Sequence, residues 1–240
     1  MLLDRSVWSA TSEFPAGQAW ADDTERILSF LQAQGVLDAL LPRLLAREWE
    51  GAYAEARVGY FFKCNAFRIL KWEPLEVPDR PGDLDIQWKE TEQIFVEVKG
   101  PGWEGELSDE ERKTGRKNQP KYINAEARML DTIGSIAKAI DKALPKFSPA
   151  RANIVATSDD LFMSALDMPL DMLEARILRH LKETRCACVG GVLVLQVVKP
   201  SDRQLEYRHY FISNPSGTHP LSEEVVKGLK AGNWREPDRG

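Results

Sequence analysis

The sequence predicts an α/β protein in which helices flank a mixed β-sheet. Residues 47–63 contain no proline and space their apolar or small side chains as one face of a helix does. Three segments with strand character follow, and a long amphipathic helix then runs from about residue 120 to residue 146. Residues 153–157, a short run rich in β-branched side chains, come next as a fourth strand. A strand, helix, strand unit makes its two strands parallel, so the sheet is expected to be mixed.

The three strands before the long helix are predicted from alternating polar and apolar residues. Residues 66–72 form the first strand, and a proline-punctuated loop leads from it to the second. Residues 83–88 and residues 94–98 alternate with a period of two, which indicates strands with one buried face. The short polar break between them predicts an antiparallel hairpin whose turn is centred near residues 90–91.

Two carboxylates and one lysine are predicted to lie on the same face of this hairpin. With the turn at residues 90–91, Asp85 comes opposite Glu97, and Cβ atoms paired in this way lie about 5 Å apart. Carboxylates that close can share Mg²⁺, with the backbone carbonyl of Val98 as a further ligand. Lys99 could orient an attacking water or, as an ammonium, neutralise charge on a phosphate. Because a lysine beside a metal site has a tunable pKa, its neutral amine could instead deprotonate the water. A metal ion beside a lysine is the arrangement that phosphodiester hydrolysis requires. The alternative without a function is a solvated sheet face with an ordinary surface ion pair.

At these residues the sequence resembles the PD-(D/E)XK nuclease superfamily. The matching segments are 82–86, which reads Gly-Asp-Leu-Asp-Ile, and 96–99, which reads Val-Glu-Val-Lys. In this resemblance Asp85 matches the motif aspartate, Glu97 the acidic position and Lys99 the lysine. The pattern departs from the motif because Gly82 separates Pro81 from the first acid, so Asp83 remains the alternative to Asp85.

The resemblance implies a restriction-endonuclease-like fold with a core of helix, three-strand meander, helix and strand. It implies a Mg²⁺-dependent endonuclease or exonuclease that hydrolyses phosphodiester bonds, with DNA favoured over RNA as substrate and Mn²⁺ able to replace Mg²⁺. The alternative is a catalytically inactive module of the same fold that binds nucleic acid or protein, because fold alone does not fix function.

Two further residues enter the expected site through the same resemblance. Superfamily members often carry a glutamate on the first helix that joins the metal site, and Glu55 is the best match in residues 47–63. They also often place a glutamine or lysine at the start of the long helix, where Gln119 stands. The alternatives are a solvated helix glutamate for Glu55 and a frayed helix end for Gln119.

A basic segment follows the hairpin and is the predicted contact for the phosphate backbone. Such contacts are electrostatic and need little base specificity. The net charge of −5 and the pI near 5.4 argue against a protein that coats DNA, but they are compatible with an enzyme that has a local positive groove. The alternative is a solvated loop, because three acidic residues precede the segment. Its members are Arg112, Lys113, Arg116, Lys117 and Lys121.

The chain of 240 residues, 43% of them hydrophobic, is predicted to form a single domain over residues 1–240. The nuclease-like core is expected over about residues 47–158, with an N-terminal helical addition at 1–46 and a C-terminal extension at 159–240. Predicted helices at 20–31 and 36–46 belong to the first addition; helices at 170–182 and 222–230 and strands at 191–198 and 205–212 belong to the second.

The remaining features bear on the setting of the protein. Its three cysteines have no metal-finger spacing, so a reduced, cytoplasmic location is the expectation. The sequence has no apolar run long enough for a secretion signal or a membrane span, so no membrane partner is expected. A homodimer is a further expectation, because cutting both strands of a duplex often takes two sites.

Overall fold

The computed structural model describes residues 15–45, 49–74, 81–100, 125–148, 150–159, 169–183, 186–201 and 204–234. Most of these residues lie in helices and strands. The helices are α1 (Pro15–Ala33), α2 (Leu37–Leu44), α3 (Trp49–Cys64), α4 (Ala125–Ala143), α5 (Leu170–Glu183) and α6 (Glu223–Ala231). A single 3₁₀ turn, Leu144–Lys146, directly follows α4.

The strands of the described residues form one mixed sheet. They are β1 (Phe67–Trp72), β2 (Leu84–Trp88), β3 (Glu92–Lys99), β4 (Ala152–Asp159), β5 (Val189–Ser201) and β6 (Gln204–Ser213). Their order in the sheet is the order in the chain. Strands β1, β2 and β3 form an antiparallel meander, β3, β4 and β5 run parallel, and β6 returns antiparallel to β5.

Each face of the sheet is covered by helices. On one face α1, α2, α3 and α6 pack over alternate side chains of the strands, among them Leu84, Val96 and Ile154. On the other face α4 and α5 pack over the intervening side chains, including Phe95 and Val155. The β3 side chains therefore alternate between two apolar layers, and Glu97 and Lys99 lie on the α4 side with Phe95.

This architecture confirms the predicted fold class, a mixed sheet flanked by helices, and is consistent with a restriction-endonuclease-like fold. The predicted parallel pairing of the strand after the long helix is also correct, since β4 runs parallel to β3. The two C-terminal strands extend the sheet as β5 and β6. Among the described helices, none has both the length and the apolar character that a bilayer crossing requires.

The predicted register of the β2–β3 hairpin is wrong. Asp85 pairs with Phe95, and Leu84 pairs with Val96, so the ladder is displaced by two residues from the one that would set Asp85 opposite Glu97. The physical reason is the turn, in which Lys89 and Glu90 both have positive φ, 43° and 60°. Lysine and glutamate rarely adopt that conformation, so the sequence contains no local signal for a turn at this position.

Candidate functional site

The site is built where β2 begins beside the second half of β3. Asp83 directly precedes β2, and its Oδ2 accepts a hydrogen bond of 2.6 Å from the backbone N–H of Val98. The ladder ends at the pair of Leu84 with Val96, so this side chain continues the contact between the two strands. Because Val98 stands between Glu97 and Lys99, the bond holds the Asp83 carboxylate beside both of them.

A close packing contact fixes the chain just before Asp83. Gly82 lies against the ring of Phe95, so closely that a Cβ atom built on Gly82 would come within 2.0 Å of the ring. Phe95 is fully buried and packs edge-to-face on Phe147, with 5.7 Å between ring centroids. The glycine therefore lets the chain pass over Phe95 and bring Asp83 to Glu97.

Glu97 is the most deeply buried group of the site, with 0% of its surface exposed. Its Oε1 accepts hydrogen bonds from two ammonium groups, that of Lys99 on the same strand and that of Lys146, whose Nζ lies 2.6 Å away. Its Oε2 is buried and has no hydrogen-bond partner among the described residues. A buried carboxylate oxygen without a partner has an unmet requirement for a cation or a donor.

The pKa of Asp83 reflects the cost of placing two buried carboxylates together. Burial, and then the negative charge of Glu97, raise the pKa of Asp83 to about 6. The N–H of Val98 and the ammonium groups of Lys146 and Lys99 act in the opposite direction and stabilise the charged form. A further cation beside these carboxylates would lower that pKa again.

Glu55 joins the site from α3. The guanidinium of Arg43, on α2, donates to both carboxylate oxygens of Glu55 at 2.8 and 2.5 Å, and also reaches Glu73 at 3.2 Å. Burial raises the pKa of Glu55, with Arg43 opposing this shift and the charge of Asp83 adding to it. Glu55 is thus buried within electrostatic range of Asp83, and its part in a metal site stays a prediction.

Asp85, the acid preferred from the sequence, faces other partners. Its Oδ2 accepts a hydrogen bond of 2.7 Å from the side chain of Gln93, and its Oδ1 forms an ion pair of 3.0 Å with Arg151. The guanidinium of Arg151 also lies over the ring of Phe95. Asp85 pairs with Phe95, two residues along β3 from the predicted pairing with Glu97. The structure therefore brings Asp83 to Glu97 and Lys99, and gives Asp85 a separate ion pair.

The donor set fits a divalent cation that retains water ligands. Within the described part of the chain, no three His, Cys, Asp or Glu side chains come close enough together to hold a metal ion by themselves. Mg²⁺ often binds through one or two carboxylates together with waters and substrate phosphates. Asp83 and Glu97 supply two carboxylates, and the unpartnered Oε2 of Glu97 is an available ligand atom. The role predicted for the carbonyl of Val98 stays a prediction; its N–H is already bound to Asp83.

Other predicted site residues lie outside the described residues. Gln119 and the five cations of the basic segment, Arg112, Lys113, Arg116, Lys117 and Lys121, belong to residues 101–124. The sequence reasoning missed Arg43 and Lys146, which contact Glu55 and Glu97. Both are distant in sequence from the motif, so no local pattern indicates that they contact these carboxylates.

Fold and site together define an α/β protein with helices on both faces of a mixed sheet and a buried cluster of carboxylates and cations beside β3. No protein-family model matches this sequence, and no curated protein matches it. Among solved structures, the chain is similar to Pyrococcus furiosus SfsA in complex with Ca²⁺, with 18% sequence identity and a TM-score of 0.31. The similarity covers 69% of this chain and spans 63% of the length of the SfsA chain.

Proposed function

We propose that the protein is a Mg²⁺-dependent nuclease that hydrolyses phosphodiester bonds, with DNA as its preferred substrate. The observation that supports this most directly is the pair of buried carboxylates, Asp83 and Glu97, held together by the Val98 N–H with Oε2 of Glu97 left without a partner. Buried like charges are costly, and a site that keeps them side by side is typical of cation binding. In this proposal Asp83, rather than Asp85, is the first acid.

Each residue of the cluster has a task in the proposed reaction. Asp83 and Glu97 would hold the cation, which supplies Lewis-acid activation of the water and the phosphate. The ammonium of Lys99 is partly exposed and can orient the attacking water or neutralise charge on the phosphate. Water adds to phosphorus, the bond to the leaving oxygen breaks, and a proton ends on that oxygen. Glu55 would support the site through its charge, held in place by Arg43.

A second candidate is a non-catalytic module that uses the same fold to bind nucleic acid or protein. The observation that favours it is the internal neutralisation of the cluster, since Glu97 is already paired with Lys99 and Lys146, and Glu55 with Arg43. A network of this kind can be purely structural.

The two candidates differ in what a divalent cation does. Purified protein is incubated with plasmid, linear and single-stranded DNA and with RNA, each with Mg²⁺, Mn²⁺ or EDTA. A nuclease cuts at least one substrate, and EDTA abolishes cutting. Lys99→Ala and Glu97→Gln are expected to reduce the rate by a factor of at least about 100. The absence of cutting on every substrate, together with no Mn²⁺ binding by the purified protein, would favour the module.

Asp83→Asn and Asp85→Asn form a matched pair that tests which acid is used. Both replace one carboxylate by an amide of the same shape, two residues apart in the chain. We expect Asp83→Asn to abolish Mn²⁺ binding and cutting, whereas Asp85→Asn retains Mn²⁺ binding because its partners are Gln93 and Arg151. The opposite result would return the assignment to Asp85.

A further inference from the structure

Lys146 is the cation that faces all three carboxylates of the site. Its ammonium binds Oε1 of Glu97 at 2.6 Å and is also attracted by the charges of Asp83 and Glu55. It comes from the 3₁₀ turn after α4, and the neighbouring Leu144 and Phe147 pack in the apolar layer on the α4 side of the sheet. The side chain is 27% exposed, which leaves a path from this position to solvent.

Among the described residues, each carboxylate of the cluster has a cation near it. Three carboxylates, those of Glu55, Asp83 and Glu97, face three side-chain cations; the cations are Arg43, Lys99 and Lys146. Arg43 donates to both carboxylate oxygens of Glu55 and also reaches Glu73, and Lys99 stands on the same strand as Glu97. Lys146 comes from a different element than Glu97, and it shares the Oε1 atom of Glu97 with Lys99.

A divalent cation that entered this cluster would find a positive charge already beside its ligands. Two positive charges a few ångströms apart repel, and partial burial limits the screening of that repulsion by solvent. The ammonium of Lys146 and the metal ion would therefore compete for the negative charge of Glu97 and Asp83.

We propose that Lys146 is a resident counter-ion, which neutralises Glu97 and Asp83 while no metal is bound and competes with the divalent cation for them. This inference rests on the proposed function, in which those two carboxylates bind Mg²⁺. Metal binding then weakens the bond between Lys146 and Glu97, and the partly exposed ammonium becomes available to an anionic ligand such as a phosphate. The site stays stable without its metal, at the expense of metal affinity.

The experiment measures Mn²⁺ affinity in the absence of nucleic acid. Free Mn²⁺ is followed by electron paramagnetic resonance at pH 8, in wild type and in Lys146→Met, Lys146→Arg and Lys142→Met. We expect Lys146→Met to bind Mn²⁺ about tenfold more tightly than wild type, because one repelling charge is gone. Lys146→Arg keeps that charge and should retain the wild-type affinity. Lys142→Met is the matched control, since Lys142 is exposed in the last turn of α4; we expect a change of less than about twofold.

Thermal unfolding supplies a second measurement on the same proteins. In EDTA, Lys146→Met should unfold at a lower temperature than wild type, and Mn²⁺ should raise its midpoint by more than it raises that of wild type. Lys146→Gln takes the place of Lys146→Met for both measurements if the methionine variant does not fold.

The direction of the change in Mn²⁺ affinity decides whether Lys146 is a counter-ion. Unchanged or weaker Mn²⁺ binding in Lys146→Met would overturn the counter-ion role and indicate that Lys146 only positions Glu97, while the metal site itself would stand. If wild type and Lys146→Met both fail to bind Mn²⁺, the counter-ion role and the proposed metal-dependent function fall together.

Discussion

The backbone N–H of Val98 donates a hydrogen bond of 2.6 Å to the carboxylate of Asp83, and so joins the residue before β2 to the middle of the segment that carries Glu97 and Lys99. This bond does what a further pair of the ladder would do, but it uses a charged side chain. The consequence is that a structural contact between two strands also holds two buried carboxylates together. The packing of the two strands and the proposed cation site therefore depend on the same group.

The raised pKa of Asp83 predicts how this residue affects the free energy of unfolding at different pH values. Its pKa is about 6 in the folded protein, against an ordinary value of 3.8, so the folded state binds more protons than the unfolded state between these values. The contribution of Asp83 is therefore full below about pH 4 and is lost as the pH rises through 6. In EDTA, the stability of Asp83→Asn relative to wild type should increase by roughly 2–3 kcal/mol between pH 4 and pH 7.5.

Urea unfolding at a series of pH values checks this prediction. The informative quantity is the difference between the two free energies of unfolding, because every other titrating group is common to both proteins. If the two profiles run parallel from pH 4 to pH 7.5, Asp83 is not buried beside Glu97 as described.

Gly82 is predicted to be intolerant of even one added methyl group. A Cβ atom at this position would come within 2.0 Å of the Phe95 ring, which is fully buried and held by Phe147. Gly82→Ala must displace the ring or the chain, and we expect a loss of about 1–3 kcal/mol in the free energy of unfolding. Displacement of the chain would also move Asp83, so Mn²⁺ affinity should fall in the same variant.

Gly134→Ala is the matched control for this substitution. Gly134 lies inside α4, and apart from its chain neighbours and the backbone of its own helix, no heavy atom of the described residues lies within 4 Å of a Cβ built there. Alanine favours the helix over glycine, so the control should gain about 0.5–1 kcal/mol. Equal effects of the two substitutions, measured by urea unfolding, would contradict the close contact at Gly82.

Much of the fold could be predicted from the sequence because it follows from local patterns. The period-two alternation at residues 83–88 and the helical spacing at residues 47–63 each place side chains without reference to the rest of the chain, and β2 and α3 form there. The position of Glu97 and Lys99 on one face of β3 could be predicted for the same reason. They stand two residues apart on one strand, where neighbours on a face are fixed by the pleat.

The rest of the site depends on contacts between distant segments. The position of Asp83 beside Glu97 follows from a turn in which Lys89 and Glu90 adopt positive φ, against their usual preference. Lys146 reaches Glu97 only because the 3₁₀ turn after α4 packs against that face of the sheet. Neither relationship has a local pattern that could reveal it.

The pair of Arg43 and Glu55 is predicted to matter more at high pH than at low pH. Burial raises the pKa of Glu55, and the guanidinium opposes that shift through two hydrogen bonds. Without Arg43 that pKa rises further, so Arg43→Gln should lose stability progressively as Glu55 ionises. We expect a loss of about 1 kcal/mol at pH 8 and a smaller loss at pH 5, because the Arg43 side chain is 42% exposed and solvent screens the pair.

A double-mutant cycle with Glu55→Gln isolates this pair. If the interaction is the cause, Arg43→Gln has a much smaller effect in the Glu55→Gln background, where the carboxylate is absent. Equal losses in both backgrounds would assign the effect to the packing of α2 or to the contact between Arg43 and Glu73.

The turn between β2 and β3 provides the last prediction, because it sets the register that brings Asp83 to the site. Glu90 is exposed and has a φ of 60°, a conformation that glycine adopts without steric cost. Glu90→Gly should therefore raise the free energy of unfolding by about 0.5–1 kcal/mol, the relief of strain being partly offset by the greater backbone freedom of glycine in the unfolded chain. Lys71→Gly, at an exposed position of β1 that lacks a positive φ, should instead lose about as much. Both values come from urea unfolding. Cross-strand nuclear Overhauser effects in Glu90→Gly should still connect Asp85 with Phe95. A connection from Asp85 to Glu97 in their place would restore the register with Asp85 as the acid at the site.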